Sequence, residues 1–521
     1  MSAAGRVARL RQARRRLGAV AVRRLSQLAA LALFLYLFLA AVGPAPVALV
    51  PVDLFLRLDP LLGLGTTLAA RAAAAYLLWA LPLALVAVVA GRFFCGWLCP
   101  LGATLDLVAP GSAKRAHARP PADGLRAVKY VLLAASLGGV LVAGTAWLLL
   151  DPLVLLTRSL ATALYPLFVL AVTALQTTLY GAGVAPDLWL WLDAAWRGSV
   201  LPYYQPYYRL AALFLALFAL VLAGNRLAPR FWCRYLCPLG AFFALLGRWA
   251  PVRRRVNKAC NRCGRCAAEC AMGAVDAKTF AADPGECILC LRCREVCPRG
   301  AVEYGPAPGL ARHDPSRRQL LLGLAGGAVA LGTLRTGASA AGQDVWLVRP
   351  PGAVEGFLAR CVRCGQCMKV CPTGGLQPSL LEAGLEGLWS PVLVPRLGFC
   401  DFSCTACGHA CPTGAIAPLD LADKRQRVIG VAYLDEQRCL PYADLTPCII
   451  CQEMCPVPDK AIVLSEETVV KSSGEQVTLK RPHVERERCI GCGICEYYCP
   501  LPNEAAIRVR ATGPLAERHS R

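Results

Sequence analysis

A chain of 521 residues with a mean hydropathy of +0.47 and only 17% charged residues is too apolar for a purely water-soluble protein and long enough for several domains. Its formal net charge of +22 would suit a nucleic-acid binder, but eight arginines crowd into the first 24 residues without an acidic neighbour, and later basic residues flank apolar runs. That is how a membrane protein marks its cytoplasmic side, and nucleic acid is set aside.

In chain order, a basic cytoplasmic N-terminus (1–24) leads into a membrane domain (25–250) with four apolar stretches, Leu28–Val42, Ala72–Ala90, Tyr130–Leu150 and Leu210–Gly224. With their flanks, each supplies the ~20 residues that a spanning helix needs. The loop with Lys114, Arg115, Arg119, Arg126 and Lys129, and the run Arg226, Arg230, Arg234, are basic; stretches 43–70 and 151–208 are nearly free of Lys and Arg. Positive-inside logic puts the N-terminus and both basic regions in the cytoplasm. A further apolar run, Leu164–Leu179, would break the alternation as a span and is read as interfacial or re-entrant. Tyr203, Tyr204, Tyr207 and Tyr208 read as an interfacial aromatic belt.

The membrane domain repeats itself. Residues 92–103 read RFFCGWLCPLGA and residues 230–241 read RFWCRYLCPLGA, identical at nine of twelve positions, and LDPL occurs at both 58–61 and 150–153. The second copy carries an insertion of about 46 residues (80 residues from LDPL to RF, against 34). Cys95/Cys99 and Cys233/Cys237, each i,i+4, share a helix face if the segment is helical. They are candidate redox or metal-binding pairs; the alternative is small buried apolar residues. Asp59 and Asp151 of the LDPL turns are candidate proton acceptors for a quinol, against simple helix-end punctuation.

Cys260, Cys263, Cys266, Cys270 and Cys287, Cys290, Cys293, Cys297 (domain 256–304) have the spacing of a two-cluster ferredoxin, in which each fourth cysteine ligates the other cluster. Zinc is the competing metal. Residues 316–341 follow as a fifth transmembrane helix or twin-arginine export signal, with Ala338-Ser339-Ala340 resembling a cleavage site. Everything beyond it is then expected across the membrane.

Domain 345–510 carries four more runs: Cys361/Cys364/Cys367/Cys371, Cys400/Cys404/Cys407/Cys411, Cys439/Cys448/Cys451/Cys455 and Cys489/Cys492/Cys495/Cys499. The 24 cysteines of six runs imply six [4Fe-4S] clusters. Consecutive and nested exchange both satisfy the ligand count; the irregular spacing of the two inner runs favours nesting. No histidine lies in a span, and no C-x-x-C-H, dinucleotide fingerprint or hydrolytic triad is present, so the pattern is that of a conductor without a substrate-transforming pocket.

On these motifs, residues 1–304 resemble the NapH-type membrane ferredoxin of periplasmic nitrate reductase systems, and the remainder resembles a NapG/MauM-type polyferredoxin. The nitrous-oxide-reductase regulator family and the cytochrome-oxidase assembly ferredoxins also look similar. The fold expected is a membrane α-helical bundle, four spans in two repeats plus a fifth, with two α+β ferredoxin-like modules. The resemblance implies a multi-pass protein of the bacterial inner membrane, meeting lipid and the quinol pool, with the polyferredoxin in the periplasm. It implies quinol oxidation and delivery of electrons to a periplasmic reductase or related acceptor. The alternatives are an assembly or metal-reducing factor for a respiratory metalloenzyme, and a cluster-based sensor or regulator.

Overall fold

The computed structural model describes residues 3–41, 50–71, 77–108, 123–198, 200–306, 347–382, 384–470 and 474–511. The segment 316–341 and the basic residues Lys114, Arg115 and Arg119 lie outside the described residues. The chain divides into two compact units: Met1–Phe38, Asp53–Leu156 and Leu215–Thr333 form one, and Leu39–Val52, Thr157–Phe214 and Leu334–Arg521 the other.

Among the described residues, two helical segments are long and apolar enough to cross a membrane by length and composition, Gly18–Ala40 and Pro152–Gly181. Pro60–Ala70, Leu77–Ala90 and Ala211–Arg226 are apolar but shorter. The expected span Tyr130–Leu150 is broken: its α-helix is Val128–Ala143, and Gly144–Leu150 winds into a tighter 3-10 turn ahead of Asp151-Pro152. A residue before proline avoids the α conformation, so the helix closes and restarts there.

The run Leu164–Leu179 differs from the sequence reading. It is neither re-entrant nor separate, but continues a helix of 30 residues from Pro152 to Gly181. Pro166 lacks the N–H that an uninterrupted α-helix requires, and a π-turn at Leu160–Leu164 just before it absorbs the mismatch. Part of the repeat insertion is thus spent on lengthening this helix. In the first repeat the equivalent helix, Pro60–Ala70, is only 11 residues.

In the first unit, Val128–Ala143 packs against Pro60–Ala70 and Pro238–Leu246, so the two repeats share one core. The ferredoxin domain is closed by β1 (Val252–Val256) antiparallel to β2 (Val302–Pro306), with Val252 opposite Pro306 and Val256 opposite Val302. Each repeat meets one cysteine run. A Cβ on Gly96 would stand 2.2 Å from the Ile288 carbonyl, and Trp97 Nε1 donates to the Leu289 carbonyl at 3.1 Å. At the matching place in the other repeat, Arg234 lies over Gly273, whose carbonyl accepts from Arg126 at 2.7 Å.

In the second unit, β3 (Leu376–Pro378) pairs with β4 (Pro391–Leu393), β5 (Val431–Leu434) with β8 (Ile507–Arg510), and β6 (Ile462–Val470) with β7 (Gln476–Val484), all antiparallel. A bridge joins Ala353 to Ile416. These closures enclose the first two cysteine runs in one module and the last two in the next. The C-terminal block is therefore two modules in series, each enclosing two cysteine runs.

Candidate metal centres

All six cysteine runs adopt one local design. The third cysteine rides on a one-turn helix: Arg265–Ala268, Arg292–Glu295, Gln366–Lys369, Ala406–His409, Ile450–Glu453 and Ile494–Tyr497. In the four regularly spaced runs, the residues just before and after the second cysteine have positive φ. Arg262/Gly264, Leu289/Leu291, Arg363/Gly365 and Gly491/Gly493 take this conformation. A non-glycine residue pays about 1–2 kcal/mol there. Leu289, Leu291, Arg262 and Arg363 hold it because the loop must wrap around what the sulfurs bind. The runs opening with x3 and x8 reach the same helix from residues at negative φ, Thr405 (φ −123°, ψ 9°) and Ile449 (φ −128°, ψ 7°).

Exchange of the fourth cysteine follows the module boundaries. Cys371 joins Cys400, Cys404 and Cys407 around a cavity of about 400 Å³ that Pro350, Pro372 and Leu393 also line. Cys499 joins Cys439, Cys448 and Cys451 around one of about 360 Å³. Cys411 falls in the electrostatic neighbourhood of Cys361 and Cys367, Cys455 in that of Cys489, Cys492 and Cys495, and Cys270 in that of Cys287 and Cys290. The nested exchange favoured by the irregular inner spacings is corrected: runs exchange consecutively, first with second and third with fourth. Spacing within a run is local, whereas the partner is chosen by strand pairing between runs.

Backbone N–H groups point at the sulfurs. Ala274 donates to Cys270 Sγ at 3.2 Å, Ala301 to Cys297 at 3.3 Å, and Ile416 to Cys411 and Ala461 to Cys455 at 3.4 Å. The Tyr304 hydroxyl lies 2.9 Å from Cys293 Sγ. Burial pushes the Cys400 and Cys451 thiols up to about 12 and Cys492 to about 11. Such thiols stay neutral until a cationic group stabilises the thiolate, and loading therefore releases protons. Among the described residues, no group of three or more His, Cys, Asp or Glu side chains could hold a metal ion. A cubane takes its thiolates at separate corners, so cysteines spread around a cavity fit it, whereas tetrahedral zinc needs four sulfurs about 2.3 Å from one point.

The repeat motifs cross over. Arg92 of the first copy donates to the Cys233 carbonyl of the second at 2.8 Å, and Arg230 of the second donates to the Cys95 carbonyl of the first at 2.6 Å. Arg92 also pairs with Glu286 at 2.9 Å, which Lys129 contacts too; all three are buried. Arg230 pairs with Asp106 at 2.8 Å. Cys95, Cys99, Cys233 and Cys237 are buried and fall in one electrostatic neighbourhood, without converging as the ligands of one metal ion. They do not share a helix face as expected. Cys95 lies in the turn Phe93–Trp97, and Cys233 in a π-turn, Trp232–Leu236. Cys99 and Cys237 stand before the next helices, accepting from Gly102 N at 3.4 Å and Gly240 N at 3.2 Å. Pro100 and Pro238 force that break.

Asp59 and Asp151 do punctuate helices. Asp59 Oδ1 accepts from the N–H groups of Leu61 (2.8 Å) and Leu62 (3.2 Å), and Asp151 Oδ1 from Leu153 (2.8 Å) and Val154 (3.3 Å). Both are fully buried, and the two carboxyl groups lie within hydrogen-bonding reach of each other. Of the four tyrosines, Tyr203, Tyr204 and Tyr207 are exposed, while Tyr208 is buried and donates to the Met368 carbonyl at 2.9 Å.

Two buried arginines beside the first run of the polyferredoxin escaped the sequence reading. The Arg158 guanidinium stacks 4.4 Å from the Trp389 ring and 5.2 Å from Phe214, and its stem packs on Gly365. Arg363 donates to the carbonyls of Cys361 (2.7 Å) and Leu388 (3.0 Å). Arg363 lay inside a cysteine run as an unassigned spacer, and Arg158 was a lone cation in an apolar stretch.

Paired two-cluster modules with cysteine-lined cavities define a ferredoxin-type protein that binds 4Fe-4S clusters. Family models agree: a 4Fe-4S binding domain matches residues 72–116 and 208–257, a 4Fe-4S dicluster domain matches 286–376 and 360–416, and a further 4Fe-4S binding domain matches 480–501. The methylamine utilization ferredoxin-type protein MauM of Methylorubrum extorquens is 41% identical over 207 residues, 38% of this chain and 89% of the relative. The ferredoxin-type protein NapG of Escherichia coli is 36% identical over 180 residues, 33% of this chain and 72% of the relative. Protein NirI of Paracoccus denitrificans is 32% identical over 262 residues, 45% of this chain and 30% of the relative. No solved structure matches. The chain belongs to the MauM/NapG family of ferredoxin-type proteins and is an iron–sulfur electron-transfer protein.

Proposed function

We propose that this protein is a membrane-anchored carrier with six [4Fe-4S] clusters, passing electrons from the quinol pool to a periplasmic reductase or related acceptor. The observation that carries the reading is the folding of six cysteine runs into three two-cluster modules. Bound there, the clusters supply one-electron transfer. Cys260, Cys263, Cys266 and Cys297 hold one cluster, Cys287, Cys290, Cys293 and Cys270 the next, and the C-terminal block four more by consecutive exchange. The two long apolar helices and the basic residues beside apolar runs support an inner-membrane location. The N-terminus and first ferredoxin domain are then cytoplasmic and the polyferredoxin periplasmic, exported with residues 316–341.

Asp59 and Asp151 are the proton acceptors in this reading. Two buried carboxyl groups in each other's field disfavour double ionisation, so the pair shares a proton that it can exchange with a bound quinol. The test is quinol-driven cluster reduction in membranes. Asp59→Asn and Asp151→Asn abolish it while reduction by dithionite persists; unchanged quinol-driven rates would remove the pair from the mechanism. Iron and acid-labile sulfide on anaerobically purified protein should give about 24 irons per chain. Protease access to the C-terminal block in spheroplasts tests its location.

The shared neighbourhood of the buried Cys95, Cys99, Cys233 and Cys237 supports a second reading, an assembly factor whose thiols reduce a metal for another enzyme. Loss of a cofactor from a neighbouring metalloenzyme on deletion, with quinol-driven electron flow intact, would select it.

A further inference from the structure

The four sites of the polyferredoxin differ in the charges around them. Cys361 has Arg363 and Arg349 in its field, and Cys364 has Arg158. Arg158 and Arg363 are only 4% and 1% exposed, so solvent screens them little. Glu386 shares Arg363's field and offsets part of this charge. At the other sites, Cys400 and Cys492 face Lys424, whereas Cys439 faces Glu436. Placement is as distinctive as charge. The first run lies against the helical part of its own unit: a Cβ on Gly365 would be 3.5 Å from Ala161 Cβ and Arg158 Cα, and Tyr208 bonds Met368.

We propose that Arg158 and Arg363 make the site of Cys361, Cys364, Cys367 and Cys411 the highest-potential centre of the C-terminal block, and its first electron acceptor on the helical side. The inference rests on the electron-carrier reading above. Quinol gives up two electrons and two protons to become quinone, and each electron moves on singly. One electron takes a four-thiolate cubane from about −2 to about −3 without a proton, and buried guanidinium charge lowers that cost. A quinol is a weak reductant, so the acceptor nearest the helices needs the most favourable potential. The order expected in the block is highest at Cys361/Cys364/Cys367/Cys411 and lowest at Cys439/Cys448/Cys451/Cys499. Arg158 and Arg363 act as positioning and tuning residues, not catalytic ones.

The test is an EPR-monitored redox titration of the full-length protein in detergent. Cys411→Ala should remove the highest-potential signal of the block; if that signal survives and a lower one vanishes, the proposal is overturned. Arg158→Gln should lower that midpoint about tenfold in reduction constant, or about 59 mV for one electron, at unchanged iron content. Arg158→Lys should restore most of the shift, because the charge returns without the stacking fork. No shift in Arg158→Gln, or an equal shift in Arg158→Lys, sinks the tuning role while leaving the carrier intact. A wild-type protein without cubane signals would instead overturn the carrier reading itself.

Discussion

The consecutive exchange of cysteines has a sharp stoichiometric consequence. Cys371 and Cys400 line one cavity together, so removing either strips the same cubane, and removing both strips no more. Each single alanine variant should therefore lose about four of about 24 irons, and Cys371→Ala/Cys400→Ala should also keep about 20. Under nesting, Cys371 would serve the site of Cys489, Cys492 and Cys495, and the same double variant would fall to about 16. The reciprocal variant Cys371→Ala/Cys489→Ala separates the schemes the other way, with about 16 irons under consecutive exchange and about 20 under nesting. Iron and acid-labile sulfide per chain on anaerobically purified protein, with EPR counting the remaining signals, decide it. About 16 irons in the first variant together with about 20 in the second would refute the consecutive assignment.

Five further outcomes are expected. Glu286→Gln leaves Arg92 and Lys129 as buried cations without their shared carboxylate, and should cost about 3–5 kcal/mol in thermal or denaturant unfolding of the detergent-solubilised protein. Tyr304→Phe removes the hydroxyl 2.9 Å from Cys293 Sγ, a bond worth about 1.5 kcal/mol to a charged acceptor. The midpoint of that cluster should fall by about 60 mV in a redox titration. Gly96→Ala drives a methyl against the Ile288 carbonyl and should loosen the ferredoxin domain, read as faster proteolysis of residues 256–304. Gly138→Ala, whose Cβ meets nothing within 4 Å in the middle of a helix, should instead stabilise by about 0.5–1 kcal/mol. Gly491→Ala combines a positive φ of 75° with a Cβ 2.3 Å from the Gly430 carbonyl, and should depress the iron content of the last module.

What the sequence disclosed follows the range of each constraint. Cysteine ligation is covalent and local, so six runs were legible from spacing alone, as was the repeat of RF-x-C-x-x-x-C-P-L-G-A, whereas the short helix under each third cysteine was not. The exchange partner was not, because Ala353 bridging to Ile416 and Val431 pairing with Arg510 are contacts that no spacing encodes. Leu164–Leu179 was not read as part of a longer helix because positive-inside alternation took precedence over continuity, and the π-turn that carries the helix past Pro166 has no sequence signature. Arg158 was invisible as a functional residue, since only the fold brings Trp389, Phe214 and Gly365 around it.

The two membrane repeats make sense as a matched pair with the two cysteine runs of the first ferredoxin domain. A two-cluster ferredoxin has approximate internal two-fold symmetry, and the repeats supply a second such pair. The first meets Ile288 and Leu289 of one run; the second meets Gly273, which follows the other. At the motif position where the contacts differ, so do the residues. Gly96 admits the Ile288 carbonyl where any side chain would collide, while Arg234 reaches over Gly273, where a glycine would leave a gap. The reciprocal bonds of Arg92 to Cys233 and Arg230 to Cys95 then lock each repeat to the other's cysteine. Buried arginines tolerate that position only with full hydrogen bonding and a counter-charge, which Glu286 and Asp106 provide. Because Glu286 immediately precedes the ligand Cys287, the charge that stabilises the repeat interface also fixes the cluster loop. The repeat core and the first cluster domain are therefore expected to fold and fail together, and a truncation ending before residue 256 should leave Arg92 and Lys129 without Glu286.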